Sequence, residues 1–231
     1  MNSVYTLTLR QLSSRARLLL MFLLALLPVY AAAQRNWSEE WEIVVLSGMM
    51  AGSILPLVVL AVASIAFGNE IEDRTLANLT LTPIPRWHIV AQKLLAVITV
   101  SGPFMTLSAF AVGYIAFAGD VTATVAVTVS AFVAVLMYSS AFVWAGLVTS
   151  RAIGFGLLYV VLWEGFFSGY VSGVRFVSIR YYSIALMHGL DERRFASADN
   201  LSFGYAIAAS AIVFAGFLLL SVRRLRHMDV P

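Results

Sequence analysis

The 231-residue chain has the composition of a membrane protein. Hydrophobic residues make up 61% of it and charged residues 12%, and its mean hydropathy is +0.88, whereas soluble proteins carry about 25% charged residues. This composition excludes an ordinary soluble domain, and the length indicates one polytopic membrane domain, residues 1–231. The net charge of +3 is spread along the chain, which does not indicate a nucleic-acid partner, and the lack of cysteine excludes disulfides and thiolate metal ligands.

Residues 1–17 have the pattern of an amphipathic helix lying in the membrane interface. Tyr5, Leu9 and Leu12 fall on one helical face, opposite a polar face that carries arginine. A signal peptide is the alternative, because three arginines precede an apolar stretch that ends in alanines 31–33. The length of the segment before that stretch, and its helical pattern, favour an interfacial helix followed by a retained first span.

Hydropathy predicts six membrane spans and therefore an all-α integral membrane protein. The predicted spans are Leu18–Ala33, Ile43–Phe67, Leu94–Ala118, Val121–Ser150, Ala152–Val174 and Leu201–Val222. Ten of the fifteen basic residues fall on the side of the N-terminus. The positive-inside rule then puts both termini and the loop 69–86 in the cytoplasm, at the plasma or inner membrane.

The loop 69–86 concentrates charge in an otherwise apolar chain. Residues Glu70 to Leu81 are predicted to form a short amphipathic helix. Its polar positions are Glu70, Glu72, Asp73 and Arg74, and its apolar positions are Ile71, Leu76 and Leu79. The simpler interpretation is a polar linker that only joins two spans.

Two prolines separate this segment from the third span. Pro83 and Pro85 end the short helix, and Pro85 can open the next helix at its first turn. Trp87 is expected in the aromatic belt of the membrane interface, and Lys93 is expected to extend its ammonium group back to the lipid headgroups.

Glu164 is the only acidic or basic residue within a predicted span. Because a carboxylate at membrane depth is energetically expensive, it is a candidate functional residue. One hypothesis is that Glu164 lines a path and binds a cationic group or gates that path. The alternative is a structural acid, either hydrogen-bonded to hydroxyls such as Ser168 or Tyr159 or protonated because burial disfavours charge. The small residues that follow it, spaced for close helix approach, are Gly165, Gly169 and Gly173.

Two parts of the chain resemble permease subunits of type-2 ATP-binding-cassette (ABC) transporters. The loop reads Asn69-Glu-Ile-Glu-Asp-Arg-Thr-Leu-Ala-Asn-Leu-Thr-Leu-Thr-Pro-Ile-Pro-Arg86 and is followed by Lys93. This is similar to the family pattern of spaced acids, Thr-Leu, a Leu-rich turn, Pro, Arg and Lys. The second part consists of Trp163-Glu164-Gly165, Ser168-Gly169 and Arg175-Phe-Val-Ser-Ile-Arg-Tyr-Tyr182. Arg74 departs from the pattern, since many members have Gly before the Thr.

The resemblance implies a fold similar to that of the G-type exporters. That fold has six spans, an N-terminal interfacial helix, a cytoplasmic coupling helix between spans two and three, and an outer re-entrant or interfacial segment between spans five and six. It also implies a dimer in membrane lipid, formed with a second copy or a related chain, and two copies of a separate ABC ATPase. The residues that would contact the ATPase are Glu70, Glu72, Asp73, Arg74, Thr75, Leu76 and Leu79.

The chain is not expected to be an enzyme. It lacks the Gly-rich loop and spaced lysine of a phosphate-binding loop, so ATP and Mg are expected in the partner ATPase, and no catalytic residue, metal or cofactor is expected here. The resemblance favours an exporter. Two other functions stay open: an ABC-type complex that remodels the envelope or signals without transport, and an intramembrane enzyme, which would need Ser with His or paired acids at membrane depth.

Overall fold

The computed structural model describes residues 3–34, 43–72, 85–149, 151–167, 178–195 and 201–227. Throughout these ranges the chain forms helices joined by turns, without a strand, as predicted for an all-α protein. In chain order the helices are α1 (Ser3–Leu12), α2 (Arg15–Ala32), α3 (Ile43–Ile54), α4 (Leu55–Glu72), α5 (Arg86–Ala116), α6 (Val121–Val148), α7 (Ala152–Leu158), α8 (Tyr159–Phe167), α9 (Ile179–Leu190) and α10 (Phe203–His227).

Within the described ranges, five helical segments are long and apolar enough to cross a membrane. They are Arg15–Ala32, Met49–Gly68, Arg86–Ala116, Val121–Val148 and Phe203–His227. These segments correspond to predicted spans one, two, three, four and six. The apolar helices α7 and α8 cover residues 152–167 of the predicted fifth span, and the rest of that span lies outside the described residues. A layout of six spans therefore remains a prediction.

Several helices extend beyond the predicted spans. Helix α5 begins at Arg86, eight residues before the predicted start at Leu94, and α10 continues to His227. The prediction that Pro85 opens the third span is confirmed, because its carbonyl accepts the N–H of His88 at 2.9 Å. Hydropathy marks only the apolar part of a helix, whereas the hydrogen-bonded helix also includes the polar turns at its ends.

The predicted interfacial helix of residues 1–17 is wrong in its extent. Helix α1 ends at Leu12, and Ser14 has an extended backbone (φ −70°, ψ 142°) immediately before α2 begins at Arg15. Helix α1 packs against α5 and α4. Its Tyr5 hydroxyl donates a hydrogen bond to the Thr99 Oγ1 of α5 at 3.3 Å. The N-terminal segment is therefore two helices, the first of which lies on the bundle.

Helix α6 is the centre of the bundle, since it packs against α4, α5, α7, α9 and α10. Small residues occupy much of its buried surface. They include Ala123, Ala126, Ser130, Ala131, Ala134, Ser139, Ser140 and Gly146. In a membrane, apolar side chains gain little by leaving lipid for a helix interface, so close packing across small residues is a main source of helix association.

A tight turn joins α5 to α6. Ala118 and Gly119 both have left-handed backbones, with φ of 52° and 83°. The carboxylate of Asp120 then caps α6 by accepting the N–H of Thr122 at 2.9 Å and of Ala123 at 3.4 Å. This N-cap satisfies two donors at the helix start that have no partner within the helix.

Two of the helices, α3 and α8, are π-helical, and they pack against each other. Long π-helical stretches are rare, and π turns are frequent at functional sites. Helix α3 changes to the α-helical geometry of α4 at Leu55, and Pro56 is the second residue of α4. Proline lacks the N–H and fits the first turn of an α-helix, so Pro56 explains where the α-helical part begins.

Gly113 allows α5 to approach α6 closely, because a Cβ atom at this position would lie 3.0 Å from the Thr124 Cα. We expect Gly113→Ala to lower the free energy of unfolding by about 1–3 kcal/mol through overpacking. The matched control is Gly216→Ala on α10, where an added Cβ meets nothing within 4 Å. The control should be neutral or stabilising by up to about 1 kcal/mol, because alanine is the better helix former. Thermal unfolding of both variants in detergent measures the two effects. Equal melting temperatures for Gly113→Ala and Gly216→Ala would contradict the close approach of α5 to α6 at Gly113.

Candidate functional site

The predicted coupling segment begins inside α4. Helix α4 continues without a break through Glu72, so the backbone at Glu70 and Glu72 forms its last turn. The remaining predicted coupling residues lie outside the described residues: Asp73, Arg74, Thr75, Leu76 and Leu79. The end of α4, the start of α5 and the end of α10 together form the loop end of the bundle.

Lys93 does not extend to the lipid headgroups, and that prediction is wrong. Its side chain is 1% exposed. The ammonium group donates a hydrogen bond to the Ala66 carbonyl of α4 and lies 4.4 Å from the centre of the Phe67 ring. The reason is position: Lys93 lies on the face of α5 that packs against α4, where a carbonyl dipole and an aromatic face replace water around the cation.

Arg86 joins the start of α5 to the end of α10. Its Nη1 donates to the carbonyl oxygens of Leu225 at 2.6 Å and Arg226 at 2.9 Å. The last four carbonyls of a helix have no N–H partner within that helix. A cation is also favoured at this end by the helix dipole, so Arg86 supplies both a donor and a charge.

Glu164 is fully buried and accepts three hydrogen bonds through its carboxylate. The Tyr159 hydroxyl donates to Oε1 at 2.8 Å, the Ser178 hydroxyl donates to Oε2 at 2.5 Å, and the Ile179 backbone N–H donates to Oε1 at 3.0 Å. These contacts tie the carboxyl group to a residue of its own helix and to the start of α9. The predicted bond to Tyr159 is confirmed, whereas Ser168 lies outside the described residues.

The carboxylate of Glu164 lies at the start of α9. Ser178 is the N-cap of that helix and Ile179 is its first residue, so the negative charge faces the positive end of the helix dipole. Arg180 adds a further link, because its Nη1 donates to the Glu164 backbone carbonyl at 3.0 Å. Burial lowers the pKa of the Arg180 guanidinium, and the negative charge of Glu164 opposes that shift. Glu164 therefore joins α8 to α9.

A second tyrosine completes this cluster. Tyr138 of α6 is fully buried, and its hydroxyl makes no hydrogen bond within the described residues, but it lies within electrostatic range of Glu164. Its ring stacks on Phe142 at 5.7 Å, and Phe142 meets the Tyr159 ring edge to face at 6.4 Å. The central helix therefore borders the polar cluster directly.

Gly165, the first of the predicted small residues, is exposed on α8. Among the described atoms, a Cβ at this position would approach only the Val160 carbonyl of its own helix, at 3.6 Å. Gly169 and Gly173 lie outside the described residues. Close approach of another helix to this face stays a prediction.

Sequence reasoning missed Ser178, Ile179 and Arg180 as partners of Glu164. These residues follow it by 14, 15 and 16 positions, which is too far for any helical spacing rule. One signal was present in the sequence: Ser178 precedes a segment with helical hydrophobic periodicity, as an N-cap does. Nothing in the sequence joins that N-cap to Glu164.

Removing the Glu164 carboxylate should leave three donors without their acceptor. Each donor that stays buried should lower the free energy of unfolding by about 1–3 kcal/mol. We therefore expect Glu164→Ala to lower the melting temperature strongly. Glu164→Gln, which keeps one acceptor oxygen for Tyr159 and Ile179, should be much less affected. Glu192→Ala, at an exposed position, is the control for loss of an acid. Unfolding followed by tryptophan fluorescence measures all three, and a Glu164→Ala protein as stable as wild type would refute the role of the carboxylate in joining α8 to α9.

Comparison with known proteins identifies the family. A sequence model described as "ABC-2 family transporter protein" matches residues 13–179. A search of curated proteins gave no match. The matched range includes five of the six predicted spans, the predicted coupling segment and Glu164 with its three hydrogen-bond donors. The chain therefore belongs to the ABC-2 family of transporter proteins and is a multi-pass membrane permease subunit of the ABC-2 type.

Proposed function

We propose that the chain is the permease subunit of an ATP-driven exporter. It forms the transport path as a dimer and is coupled to a separate ABC ATPase through residues 70–81. The dimer contains a second copy of this chain or a related one, and each permease pairs with one ATPase that binds ATP and Mg. Family membership supports the general assignment, and the observation that carries the coupling proposal is the architecture of the loop end.

The loop end suits the transmission of movement. The acidic segment is continuous with the helix of span two, because α4 runs through Glu72. On the other side of the segment, α5 starts at Arg86 and continues for 31 residues to Ala116. A helix transmits displacement along its length because each of its turns is hydrogen-bonded to the next. A push on residues 70–81 would therefore reach both helices directly.

The proposed topology has six spans, with residues 152–174 as the fifth and both termini in the cytoplasm. The positive-inside count supports this orientation, and the apolar helices α7 and α8 support a span at that position. Residues 178–195, with α9, then form the outer segment. In this orientation the loop end faces the cytoplasm, where the ATPase and its ATP are found.

For Glu164 we propose a structural role at the outer part of the path. Its carboxylate oxygens are directed at three donors of the chain itself, and a fully buried position offers no approach for a cationic cargo. By joining α8 to α9, it fixes the outer segment to the fifth span. The resulting expectation is that Glu164→Gln, if it assembles normally, supports normal transport.

Charge reversal in the coupling segment tests the ATPase proposal. We expect Glu72→Lys or Asp73→Lys to weaken binding of the ATPase at least about tenfold, or about 1.4 kcal/mol, because like charges brought together at an interface are strongly unfavourable. ATP hydrolysis in the complex would then no longer be coupled to transport, while the melting temperature of the permease stays unchanged. Co-purification of the ATPase and the hydrolysis rate of the reconstituted complex provide the measurements.

Glu192→Lys is the matched control, since it makes the same charge change at the exposed turn after α9. If Glu72→Lys and Asp73→Lys couple ATP hydrolysis to transport as the wild type does, the segment is only a polar linker between two spans. Hydrolysis that responds only to a partner protein, and to no solute, would favour the alternative of a non-transporting complex for envelope remodelling or signalling.

A further inference from the structure

The first three turns of α5 carry two cations that bind backbone carbonyls of other helices. Arg86 donates to α10 and Lys93 donates to α4. The two residues are seven positions apart, which places them on one stripe of the helix and about 10.5 Å apart along its axis. Helix α5 is therefore joined to two other helices immediately after the coupling segment.

The contact to α10 is made at a point where α10 has unused hydrogen-bonding capacity. One guanidinium nitrogen bridges the carbonyls of two consecutive residues, Leu225 and Arg226, in the last turn. The same turn carries the exposed residues Arg224, Arg226 and His227. The two arginines repel the charge of Arg86, so this turn gives no side-chain attraction for Arg86 among the described residues. The directed hydrogen bonds and the helix dipole favour its position there.

The contact to α4 is made by a buried ammonium group. Burying an ammonium is unfavourable unless it is compensated by polar partners, and Lys93 is 1% exposed. An apolar side chain would fill this site without that penalty. The Ala66 carbonyl and the Phe67 ring belong to the part of α4 that leads directly into Gly68 and the acidic segment. Lys93 therefore fixes α5 to the helix turn from which the coupling segment starts.

We propose that Arg86 and Lys93 are positioning residues for energy coupling. They make α4, the first turns of α5 and the end of α10 move as one unit when the coupling segment is displaced. This proposal rests on the proposed function, since it assumes an ATPase that displaces the segment. It adds that the last span, which is far from that segment in sequence, follows the movement through Arg86.

The test uses distances between helices, which need no knowledge of the transported molecule. The chain contains no cysteine, so spin labels can be attached at Leu95→Cys on α5 and Leu219→Cys on α10, which are 53% and 67% exposed in the wild type. The complex with the ATPase is reconstituted in lipid nanodiscs, with labelled permease diluted into unlabelled permease so that only distances within one chain are measured. Pulsed electron paramagnetic resonance then gives the distance without nucleotide and with ATP trapped by vanadate.

In the otherwise wild-type protein we expect one narrow distribution of label-to-label distances. Its mean should change by less than about 2 Å between the two nucleotide states, which is the size of a small helix shift. In Arg86→Gln we expect the ATP-trapped distance to broaden or shift by about 5 Å or more, roughly one helical turn, with ATPase binding retained. Arg224→Gln, an equal charge change in the same turn of α10 at an exposed position, should behave like wild type. The proposal is overturned if Arg86→Gln gives a distance distribution as narrow as that of wild type, with the same mean in both nucleotide states. It is also overturned if the mean distance in the wild-type protein changes by a full helical turn when ATP is trapped.

Lys93 can be tested separately because it is the only lysine of the chain. We expect amine acylation of Lys93 in the complex, read by peptide mass spectrometry, to be at least tenfold slower than in detergent-unfolded protein, both without nucleotide and with trapped ATP. Equal rates in the trapped and unfolded states would overturn its part of the proposal. If the proposed function itself is wrong, the outcome is different. The wild-type chain would then bind no ATPase, and no complex could be isolated for distance measurements.

Discussion

A polar group inside the hydrocarbon is costly to leave without a partner in the protein, and this constraint accounts for much of the structure. Hydroxyl side chains meet it locally: Ser101 donates to the Val97 carbonyl at 2.8 Å and Thr128 donates to the Thr124 carbonyl at 2.7 Å, each one turn back in the same helix. Ser108 meets it across helices by donating to the Ala25 carbonyl at 2.6 Å, which joins α5 to α2. In lipid there is no water to take over these bonds.

The same constraint gives the two buried ions their structural effect. Lys93 can be buried because α4 supplies a carbonyl and an aromatic ring. Glu164 can be buried because α9 and its N-cap supply two donors, Ile179 and Ser178, and its own helix supplies the third, Tyr159. Each ion therefore fixes two elements to each other more specifically than apolar packing does, since its partners must lie at hydrogen-bonding distance and in the right direction. The two sites lie on different helices, and α6 connects them by packing against α5 and by bringing Tyr138 close to Glu164.

The helices could be predicted from the sequence, whereas the contacts of the buried ions could not. Long apolar stretches predict membrane helices because hydropathy is a local property, and five such stretches coincide with helices of sufficient length. The break at Ser14 was missed because the hydrophobic pattern continues through it in helical register. The burial of Lys93 was missed because sequence does not tell which face of α5 meets α4. The Tyr159 partner of Glu164 lies five residues away and was predicted, but the partners on α9 depend on the tertiary fold.

The proposed coupling depends on the segment that begins at Glu70 as the place where an ATPase acts on this permease. The most direct measurement is an electron cryo-microscopy structure of the permease purified with its ATPase under gentle extraction. We expect two ATPases on a permease dimer, with residues 70–81 of each permease in a groove of an ATPase. Coupling through this segment would be refuted by a permease that is isolated without an ATPase, or by a complex in which the ATPase contacts other segments and leaves residues 70–81 free.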